Sequence, residues 1–277
     1  SSKITDGVVV LSGTTSEYML KDGIVQSGDK PLQLQFSADH SQNTNTYTGD
    51  GFRFYLLKGA NSNIIFEYRK GAGAAVRIKS ATNFSMSGVT ANTDFKKNMD
   101  LTKKTIFTID YDWSDWANNN LTITIDVKYD DSTSSLVTQK IVFTHSGTDT
   151  DFNVGFYNYS NRTVCLYDVF LKSVNSVIRP FEETHSEILE KTPDTIQTSD
   201  VPALQAALDD LSTYDTYVQG VIKSKYPDLE TMEESLKQKV ITNWDGLDDF
   251  SDSYKTSVLW TNSLNQKIVD ETVVLDL

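Results

Sequence analysis

The chain has 277 residues and a mass of 31.0 kDa, with 38 acidic against 25 basic side chains and a pI near 4.6. This acidity, without a basic stripe interleaved with aromatic residues, argues against nucleic acid as a partner. No run of about 18 apolar residues occurs, so membrane insertion is not expected, and the single cysteine, Cys165, excludes an intrachain disulfide framework.

The chain changes character near Arg179. Residues 1–180 carry 18 acidic and 18 basic side chains, whereas the remainder carries 20 acidic and 7 basic ones. Short aromatic and threonine-rich runs precede this point, and long acidic runs with helical periodicity follow it. We therefore predict two domains, residues 1–178 and residues 179–277.

The first domain is predicted to consist of short β-strands. Its apolar residues recur in runs bounded by turn-forming residues, at 7–11, 32–36, 52–56, 64–68, 105–111, 121–127, 137–143, 154–157 and 166–171. Strands that follow one another without helical periods indicate an antiparallel sandwich of two sheets. The segment 80–101, rich in Asn, Thr and Ser, is predicted to be a long surface loop, with a loop that contains a short strand or helix as the alternative.

The order of these segments resembles the jelly roll of the concanavalin-like family, which includes L-type lectins and laminin-G-like domains. The similar segments are GDGFRFYL at 49–56, FTIDYD at 107–112 followed by LTITI at 121–125, VGF at 154–156 and LYDVFL at 166–171. The resemblance covers about residues 5 to 175. It implies a jelly-roll β-sandwich and a carbohydrate-binding role.

One departure from the family concerns metal binding. In legume-type lectins, the loop after the central strand supplies oxygen ligands to calcium and a transition metal. Here residues 67–75 read EYRKGAGAA, with two cations and almost no oxygen ligands beyond the strand glutamate. We therefore predict no metal and no cofactor. Asp110, Asp112 and Asp115 are the alternative, since these carboxylates could hold calcium.

The segment 111–120, YDWSDWANNN, is the first candidate binding element. Aromatic faces stack on the apolar face of a sugar ring, and Asp and Asn side chains bond its hydroxyls. The predicted glycan-binding residues of this loop are Trp113, Asp115, Trp116 and Asn118. Alternatively, Trp113 covers the core and the Asn-rich turn is ordinary hairpin chemistry.

The loop after the VGF segment is the second candidate binding element. Its predicted ligand-binding residues are Tyr157, Asn158, Tyr159 and Arg162. By resemblance to L-type lectins, loops at this end help to bind the sugar, and Asp50 is the hydroxyl-binding carboxylate. The alternative for Asp50, between two glycines, is an ordinary turn residue.

Catalysis is not predicted. Glycosidases use two facing carboxylates, but residues 1–178 contain only Glu17 and Glu67, and neither lies in a Glu-x-Asp-x-Glu strand. A nucleophilic triad is not indicated either, since Gly-x-Ser-x-Gly is missing and the three His residues lie far apart in the sequence. We interpret Glu67 as a strand residue paired with Arg69 or Arg53. An acid or nucleophile is the alternative.

The second domain is predicted to be an antiparallel three-helix bundle. A helix of about 25 residues starts at Val201, where a capping side chain and a proline coincide. Pro227 restarts a second helix, which continues to Ile241, and a third runs from Leu247 to Ile268. Short links between such helices favour a bundle.

Residues 202–208, PALQAAL, resemble the start of FIVAR-type helical modules, which are stalk repeats in surface proteins and secreted glycosidases of Gram-positive bacteria. The resemblance implies an extracellular stalk or spacer. We therefore expect a non-catalytic carbohydrate-binding or adhesin module, at the cell surface or secreted, within a larger surface protein. Its partner would be a glycan or a host or cell-surface glycoprotein. The alternatives are a glycan-active hydrolase of this fold and a structural surface domain that binds a protein.

Overall fold

The computed structural model describes residues 3–5, 8–11, 16–19, 30–39, 51–69, 75–158, 164–243, 251–259, 266–269 and 272–275. The chain divides into two compact units, Ser1–Val177 and Ile178–Leu277. The strands are, in chain order, β1 (Lys3–Thr5), β2 (Val8–Leu11), β3 (Ser16–Met19), β4 (Pro31–Asp39), β5 (Gly51–Lys58), β6 (Asn63–Arg69), β7 (Ala75–Thr82), β8 (Phe84–Ser87), β9 (Asp94–Lys96), β10 (Thr105–Asp112), β11 (Asn120–Tyr129), β12 (Val137–His145), β13 (Asn153–Asn158), β14 (Val164–Ser173), β15 (Gln266–Val269) and β16 (Thr272–Leu275).

Two antiparallel sheets make up the first unit. The eight-stranded sheet has the order β1-β2-β14-β4-β10-β11-β12-β8, and the six-stranded sheet has the order β3-β13-β5-β6-β7-β9. Strands from late in the sequence lie between early ones, since β14 separates β2 from β4 and β13 separates β3 from β5. This interleaving is consistent with a jelly roll.

Strands β10 and β11 show why these segments form a sheet. Leu121, Ile123 and Ile125 are buried, whereas the threonines between them are partly exposed. This period of two places all apolar side chains on one face, and β-branched residues favour the extended backbone. Ile109 lies opposite Ile125 in the ladder, and both are buried. A slip of one residue would turn this apolar set outward, so the register is well specified.

Aromatic side chains from both sheets fill the space between them. Phe36 and Phe107 of the eight-stranded sheet stack with ring centres 5.0 Å apart. Phe54 of the six-stranded sheet meets Phe36 edge-on at 5.0 Å, and Phe66 meets Phe107 at 6.0 Å. Burial of each ring contributes about 1.5–3 kcal/mol. The two sheets therefore pack face to face, and the predicted antiparallel β-sandwich is confirmed.

Helices dominate the chain after the sandwich. They are α1 (Val174–Thr184), α2 (Ser186–Leu189), α3 (Val201–Thr213), α4 (Thr216–Lys225), α5 (Met232–Thr242) and α6 (Ser253–Leu259). Their apolar faces are buried, for example at Leu204 and Leu211 in α3 and at Leu236 in α5. Among the described helices, none combines the length and the apolar character that crossing a membrane requires.

The helical part differs from the predicted three-helix bundle. The predicted first helix of about 25 residues is divided into α3 and α4, because the Asp215 side chain caps a new helix by accepting a hydrogen bond from the Val218 backbone N–H at 3.0 Å. The predicted third helix would have included Ile268, which instead pairs with Val273 in the hairpin of β15 and β16. The β-branched residues of this segment favour strand over helix. In the described residues after position 200, four short helices, α3 to α6, and a β-hairpin take the place of the three predicted helices.

Candidate functional site

Trp113 lies in the loop between β10 and β11, which we call the Trp loop (residues 113–119). The Asp112 side chain accepts a hydrogen bond from the Ser114 backbone N–H at 3.0 Å and so turns the chain at the end of β10. Trp113 is 1% exposed, and its indole Nε1–H donates to the Pro31 carbonyl at 2.7 Å. The ring therefore packs inside the sandwich, and its N–H group is already hydrogen-bonded to the backbone. In place of the predicted sugar-stacking role, the structure assigns Trp113 to the core.

Trp116 is half-buried in an aromatic cluster. Its ring meets Trp113 edge-on at 4.9 Å and stacks on His145 at 5.4 Å with 19° between the planes. Phe152 lies edge-on at 5.7 Å. The Lys30 ammonium is 5.6 Å from the ring centre, an attractive cation–π position. These contacts hold Trp116 in place as part of the end of the sandwich.

The polar residues of the Trp loop bond to one another. Asp115 accepts hydrogen bonds from the side-chain amides of Asn118 and Asn120, both at 2.6 Å, one on each carboxylate oxygen. These hydrogen bonds lower the pKa of Asp115. Asn119 adopts a left-handed conformation with φ 60° and closes the turn. Asp115 and Asn118 were both predicted to bind ligand. Both are exposed, but their side chains are already hydrogen-bonded to each other.

Beneath the Trp loop, the structure joins three residues that are distant in sequence. Ser62 Oγ lies 3.0 Å from His145 Nε2, although the residues are 83 positions apart. The Ser62 side chain also bonds to Asp149, whose Oδ2 accepts from the Asn61 backbone N–H at 2.9 Å. In a hydrolytic triad the histidine stands between serine and carboxylate. Here the serine stands in the middle and is 1% exposed, so the network is structural.

Burial governs the electrostatics of this network. Desolvation lowers the pKa of His145 below 6.5, and the nearby Asp149 charge opposes the shift. The space is also tight, because a Cβ at Gly147 would lie 2.6 Å from Ser62 Oγ. A Cβ at Gly59 would lie 2.6 Å from Asp149 Oδ2. A Cβ at either glycine would therefore force the neighbouring side chains to shift.

The second predicted loop belongs to a different sheet from the Trp loop. Tyr157 and Asn158 are part of β13 in the six-stranded sheet, and their side chains are outside the described set. In the register, Tyr157 lies opposite Arg53 of β5. Asp50, Tyr159 and Arg162 lie outside the described residues, so their predicted roles stay predictions.

Charged residues occupy one row of the outer face of the six-stranded sheet. Their chain neighbours Phe54, Phe66 and Ile78 point to the core, so Arg53, Glu67 and Arg77 point away from it. Glu67 is only 2% exposed. Arg53 Nε donates to Glu67 Oε1 at 2.8 Å, and Arg77 Nε donates to Oε2 at 2.7 Å. The interpretation of Glu67 as a strand residue paired with Arg53 is confirmed, and Arg77 is its second partner.

This arrangement does not equip Glu67 for acid catalysis. Burial alone would raise the pKa of Glu67, but the hydrogen bonds and charges of Arg53 and Arg77 outweigh burial and lower it. A general acid requires a raised pKa, and the pKa of Glu67 is shifted in the opposite direction. The next carboxylate in this row, Asp94, lies beyond Arg77 in the register. The row is an ion-pair network rather than a pair of catalytic carboxylates.

The neighbouring rows of this face carry apolar and amide groups. Tyr55 and Ile65 are half-buried and lie opposite each other. The register places Asn153 and Asn63 on either side of Lys58, whose ammonium lies 4.6 Å from the Tyr55 ring centre. The side-chain oxygens of both asparagines are buried and have no hydrogen-bond partner among the described residues. An unsatisfied buried acceptor costs about 1–3 kcal/mol, and both oxygens are inaccessible from outside the fold.

The carboxylates considered for calcium do not converge. Asp110 accepts a hydrogen bond from the Gln33 side chain at 2.6 Å, while Asp112 and Asp115 bind groups of the Trp loop. Across the described ranges, no group of three or more His, Cys, Asp or Glu side chains is placed to hold a metal ion. We take the outer face of the six-stranded sheet as the candidate site. Its potential ligand-binding groups are the arginine, lysine and tyrosine side chains described above.

No protein-family model and no curated protein sequence matches the chain. Among solved structures, it is similar to the metal-free lectin I-B4 of Griffonia simplicifolia, with 12% identity and a TM-score of 0.39 over 62% of this chain and 90% of that chain. A carbohydrate-binding module, CBM66 of Bacillus subtilis, gives 11% identity and a TM-score of 0.35 over 61% and 89%. A GH43 glycoside hydrolase gives 12% and 0.39 over 60% and 34%. TM-scores below 0.5 do not establish a function for this chain.

Proposed function

We propose that the protein is a non-catalytic carbohydrate-binding protein that holds its glycan on the outer face of the six-stranded sheet. The observation that carries the proposal is the half-buried pair of Tyr55 and Ile65, which lie opposite each other on this face beside the ion-paired row of Arg53, Glu67 and Arg77. The apolar face of a sugar ring stacks on tyrosine, and polar side chains beside the ring bond its hydroxyls.

The charged row supports the same proposal. Arg53 and Arg77 each spend donors on Glu67, and an arginine has five N–H groups in a rigid fork. The guanidinium groups are therefore held in fixed positions by the ion pairs. Preorganised donors reduce the entropy lost on binding a hydroxyl-rich ligand.

The non-catalytic part of the proposal is supported by Glu67. Its lowered pKa keeps it ionised at neutral pH, and both of its oxygens accept hydrogen bonds. An assay for reducing ends tests this part of the proposal. If the parent protein releases reducing ends from a bound glycan, and a folded Glu67→Gln variant does not, the hydrolase alternative replaces the non-catalytic one.

The proposal extends to the setting of the chain, a bacterial cell-surface or secreted protein in which the helical unit is a spacer. Its support is the resemblance of residues 202–208 to FIVAR-type modules and the excess of 20 acidic over 7 basic residues after position 180. Protease treatment of intact cells that carry the protein tests this setting, because a surface protein would be cleaved while cytoplasmic markers survive.

A glycan array with the full chain tests the binding proposal. We expect specific retention of a small set of glycans and about a fivefold or greater loss of affinity for Tyr55→Ala, since a stacked aromatic contributes on the order of 1 kcal/mol. Thr124→Ala, on the outer face of the eight-stranded sheet, is the matched control and should bind as the parent does. Circular dichroism verifies that each variant is folded.

The same array separates the two candidate regions. Trp116→Ala tests the loop that was predicted from sequence, and we expect it to retain binding if it folds. Loss of binding in a folded Trp116→Ala variant, with Tyr55→Ala unaffected, would move the site to the Trp loop. Silence of the parent protein on all glycans would refute the function itself.

A further inference from the structure

The helical unit contains a half-open cavity of about 180 Å³. It is lined by residues 189–192 at the end of α2, by residues 225–229 at the end of α4, and by Met232 at the start of α5. Leu229 and Met232 are fully buried, so the base of the cavity is apolar. An apolar cavity of about 150 Å³ accepts benzene, so this space suits an apolar body of about one ring.

Tyr226 forms a fixed side of this cavity. Its hydroxyl donates to Glu182 Oε1 at 2.9 Å. The Lys225 ammonium binds the same carboxylate and lies 5.7 Å from the centre of the Tyr226 ring. The ring is therefore held in place by groups outside the cavity, and such preorganisation reduces the entropy lost when a ligand binds.

Both lysines that line the cavity already have carboxylate partners. Lys225 pairs with Glu182, and the hydrogen bond and charge of this carboxylate raise the pKa of Lys225. Lys191 Nζ lies 3.2 Å from Asp200 Oδ2. An anionic ligand would have to compete with these carboxylates for the two ammonium groups, so the lysines do not favour an anion.

The two acidic residues that line the cavity are in a different situation. The side chains of Glu190 and Asp228 have no hydrogen bond or ion pair within the described ranges. Glu190 is exposed and Asp228 is half-buried, so both remain accessible from solvent. In addition, α4 ends at Lys225, which places the negative end of its helix dipole at the cavity wall. These groups favour a cation in the cavity.

The surrounding charge acts in the same direction. The lining residues and the ion-pair partners of the two lysines together carry two positive and four negative charges. Lys223 on α4 and Lys237 on α5 are paired with Glu230 and Glu233, so these pairs add no net charge. The whole part after position 180 has 20 acidic and 7 basic side chains. A field of this sign concentrates cations near the surface and repels anions.

We infer that this cavity binds a small organic cation, a primary ammonium group on an apolar body of about one ring. The ammonium group is bound by Glu190 and Asp228, and the body packs against Tyr226, Leu229 and Met232. The inference gives the helical unit, proposed above as a spacer, a ligand site of its own. It does not depend on the proposed glycan site, which lies in the other unit.

The experiment is a titration of the full chain, labelled with ¹⁵N, followed by amide NMR at pH 7. The probes are benzylammonium, benzyl alcohol and benzoate, which share one ring and differ in charge. We expect benzylammonium to shift the amide signals of residues 189–192 and 226–232 and to bind about fivefold or more tightly than benzyl alcohol, because a charged hydrogen bond is about twice as strong as a neutral one. Added NaCl should weaken the binding of benzylammonium alone.

A pair of double variants connects the preference to the cavity. Glu190→Gln with Asp228→Asn should remove the preference for benzylammonium over benzyl alcohol, since both carboxylates are lost. Glu183→Gln with Glu187→Gln is the matched control, because it changes the net charge equally at two exposed residues that do not line the cavity. The control should bind benzylammonium within about twofold of the parent. If the first double variant does not fold, Glu190→Gln alone, at an exposed position, should reduce the preference about twofold.

Four outcomes would overturn the inference. Equal losses in the two double variants would show that overall acidity attracts the cation. Equal affinity of the parent for benzylammonium and benzyl alcohol would show an apolar cavity without charge selection. Tighter binding of benzoate would assign the ligand contacts to Lys191 and Lys225. The absence of shifts at residues 189–192 and 226–232 with every probe would show that the cavity binds none of them.

Discussion

The Trp loop and the outer face of the six-stranded sheet differ in how far their polar groups are satisfied. In the Trp loop, Asp115 bonds Asn118 and Asn120, and the Trp113 indole bonds a backbone carbonyl. On the outer face, by contrast, the buried oxygens of Asn63 and Asn153 have no partner among the described residues. Residue types that commonly bind glycans therefore do not form a binding site when their polar groups are already hydrogen-bonded within the fold.

Burial separates the two regions in the same way. The Trp loop has the more sugar-like composition, but its central ring is 1% exposed and supports the end of the sandwich. The sheet face has few aromatic residues, but its half-buried Tyr55 and Ile65 stand beside fixed charges. The comparison predicts that changes in the Trp loop alter stability, whereas changes on the sheet face away from Glu67 alter binding.

The largest expected effect is that of Trp113→Ala. Removal of this fully buried ring leaves a cavity and takes away the hydrogen bond to the Pro31 carbonyl, and we expect a loss of about 3–5 kcal/mol in the free energy of unfolding. Urea unfolding of the sandwich, followed by circular dichroism, measures the loss. Trp116→Ala should cost less, since its ring is half-buried. A cost for Trp113→Ala below about 1 kcal/mol would contradict the core assignment.

Glu67→Gln is expected to be next. It removes the carboxylate charge that Arg53 and Arg77 share in a recessed site, and we expect a loss of about 3 kcal/mol in unfolding free energy at pH 7. The matched control is Asp126→Asn, which changes an exposed carboxylate that accepts from Thr138 at 2.6 Å. This variant should stay within about 0.5 kcal/mol of the parent.

The pH dependence of this difference checks its electrostatic origin. The folded pKa of Glu67 lies below its usual 4.5, so the carboxylate stabilises the fold fully above that value and progressively less as pH falls through the folded pKa. The stability difference between the parent and Glu67→Gln should therefore shrink below pH 4.5. A difference that is constant with pH would indicate a packing effect and would contradict the ion-pair interpretation.

Gly147→Ala should produce a smaller loss in the network beneath the Trp loop. The new Cβ would lie 2.6 Å from Ser62 Oγ and 2.8 Å from His145 Nε2, and overpacking of this kind costs about 1–3 kcal/mol. Gly220→Ala in α4 is the opposite control, because no atom lies within 4 Å of its new Cβ. That change should stabilise the helix by up to about 1 kcal/mol. A neutral Gly147→Ala would show that the network tolerates rearrangement.

The smallest effect is expected from a chelator. Because the described residues show no cluster of metal-ligating side chains in either region, EDTA should leave the melting temperature of the sandwich unchanged. Differential scanning calorimetry before and after treatment measures it. A large decrease that calcium reverses would contradict this expectation, and Asp110, Asp112 and Asp115 would then be the residues to substitute.

The strands were predicted well where the alternation is long. The predicted segments 105–111 and 121–127 lie within β10 and β11, because several alternating apolar residues specify both the strand and its buried face. By contrast, β8 and β9 lie in a segment predicted to be a loop with at most a short strand or helix, and their positions were not predicted. Each has only three or four residues, and each forms because β12 or β7 supplies its hydrogen-bond partners.

Prediction of the candidate site was limited for a related reason. The alternation in β5 and β6 places Arg53 and Glu67 on outward positions, and Arg53 was one of the two predicted partners of Glu67, with Arg69 as the other. Arg77 was missed, because its place beside Glu67 depends on the register between β6 and β7. The pairing of Ser62 with His145 was missed as well, since no local pattern joins residues 83 positions apart.

The sequence by itself determined the order of a β-rich part and an acidic helical part, and it determined which side of each long strand faces the core. These properties follow from local periodicity and backbone preference. Only the tertiary structure decided the burial of Trp113, the row of Arg53, Glu67 and Arg77 and the isolation of two asparagine oxygens. Each of these depends on which distant segments become neighbours, and that choice is made by the packing and register of the whole sandwich.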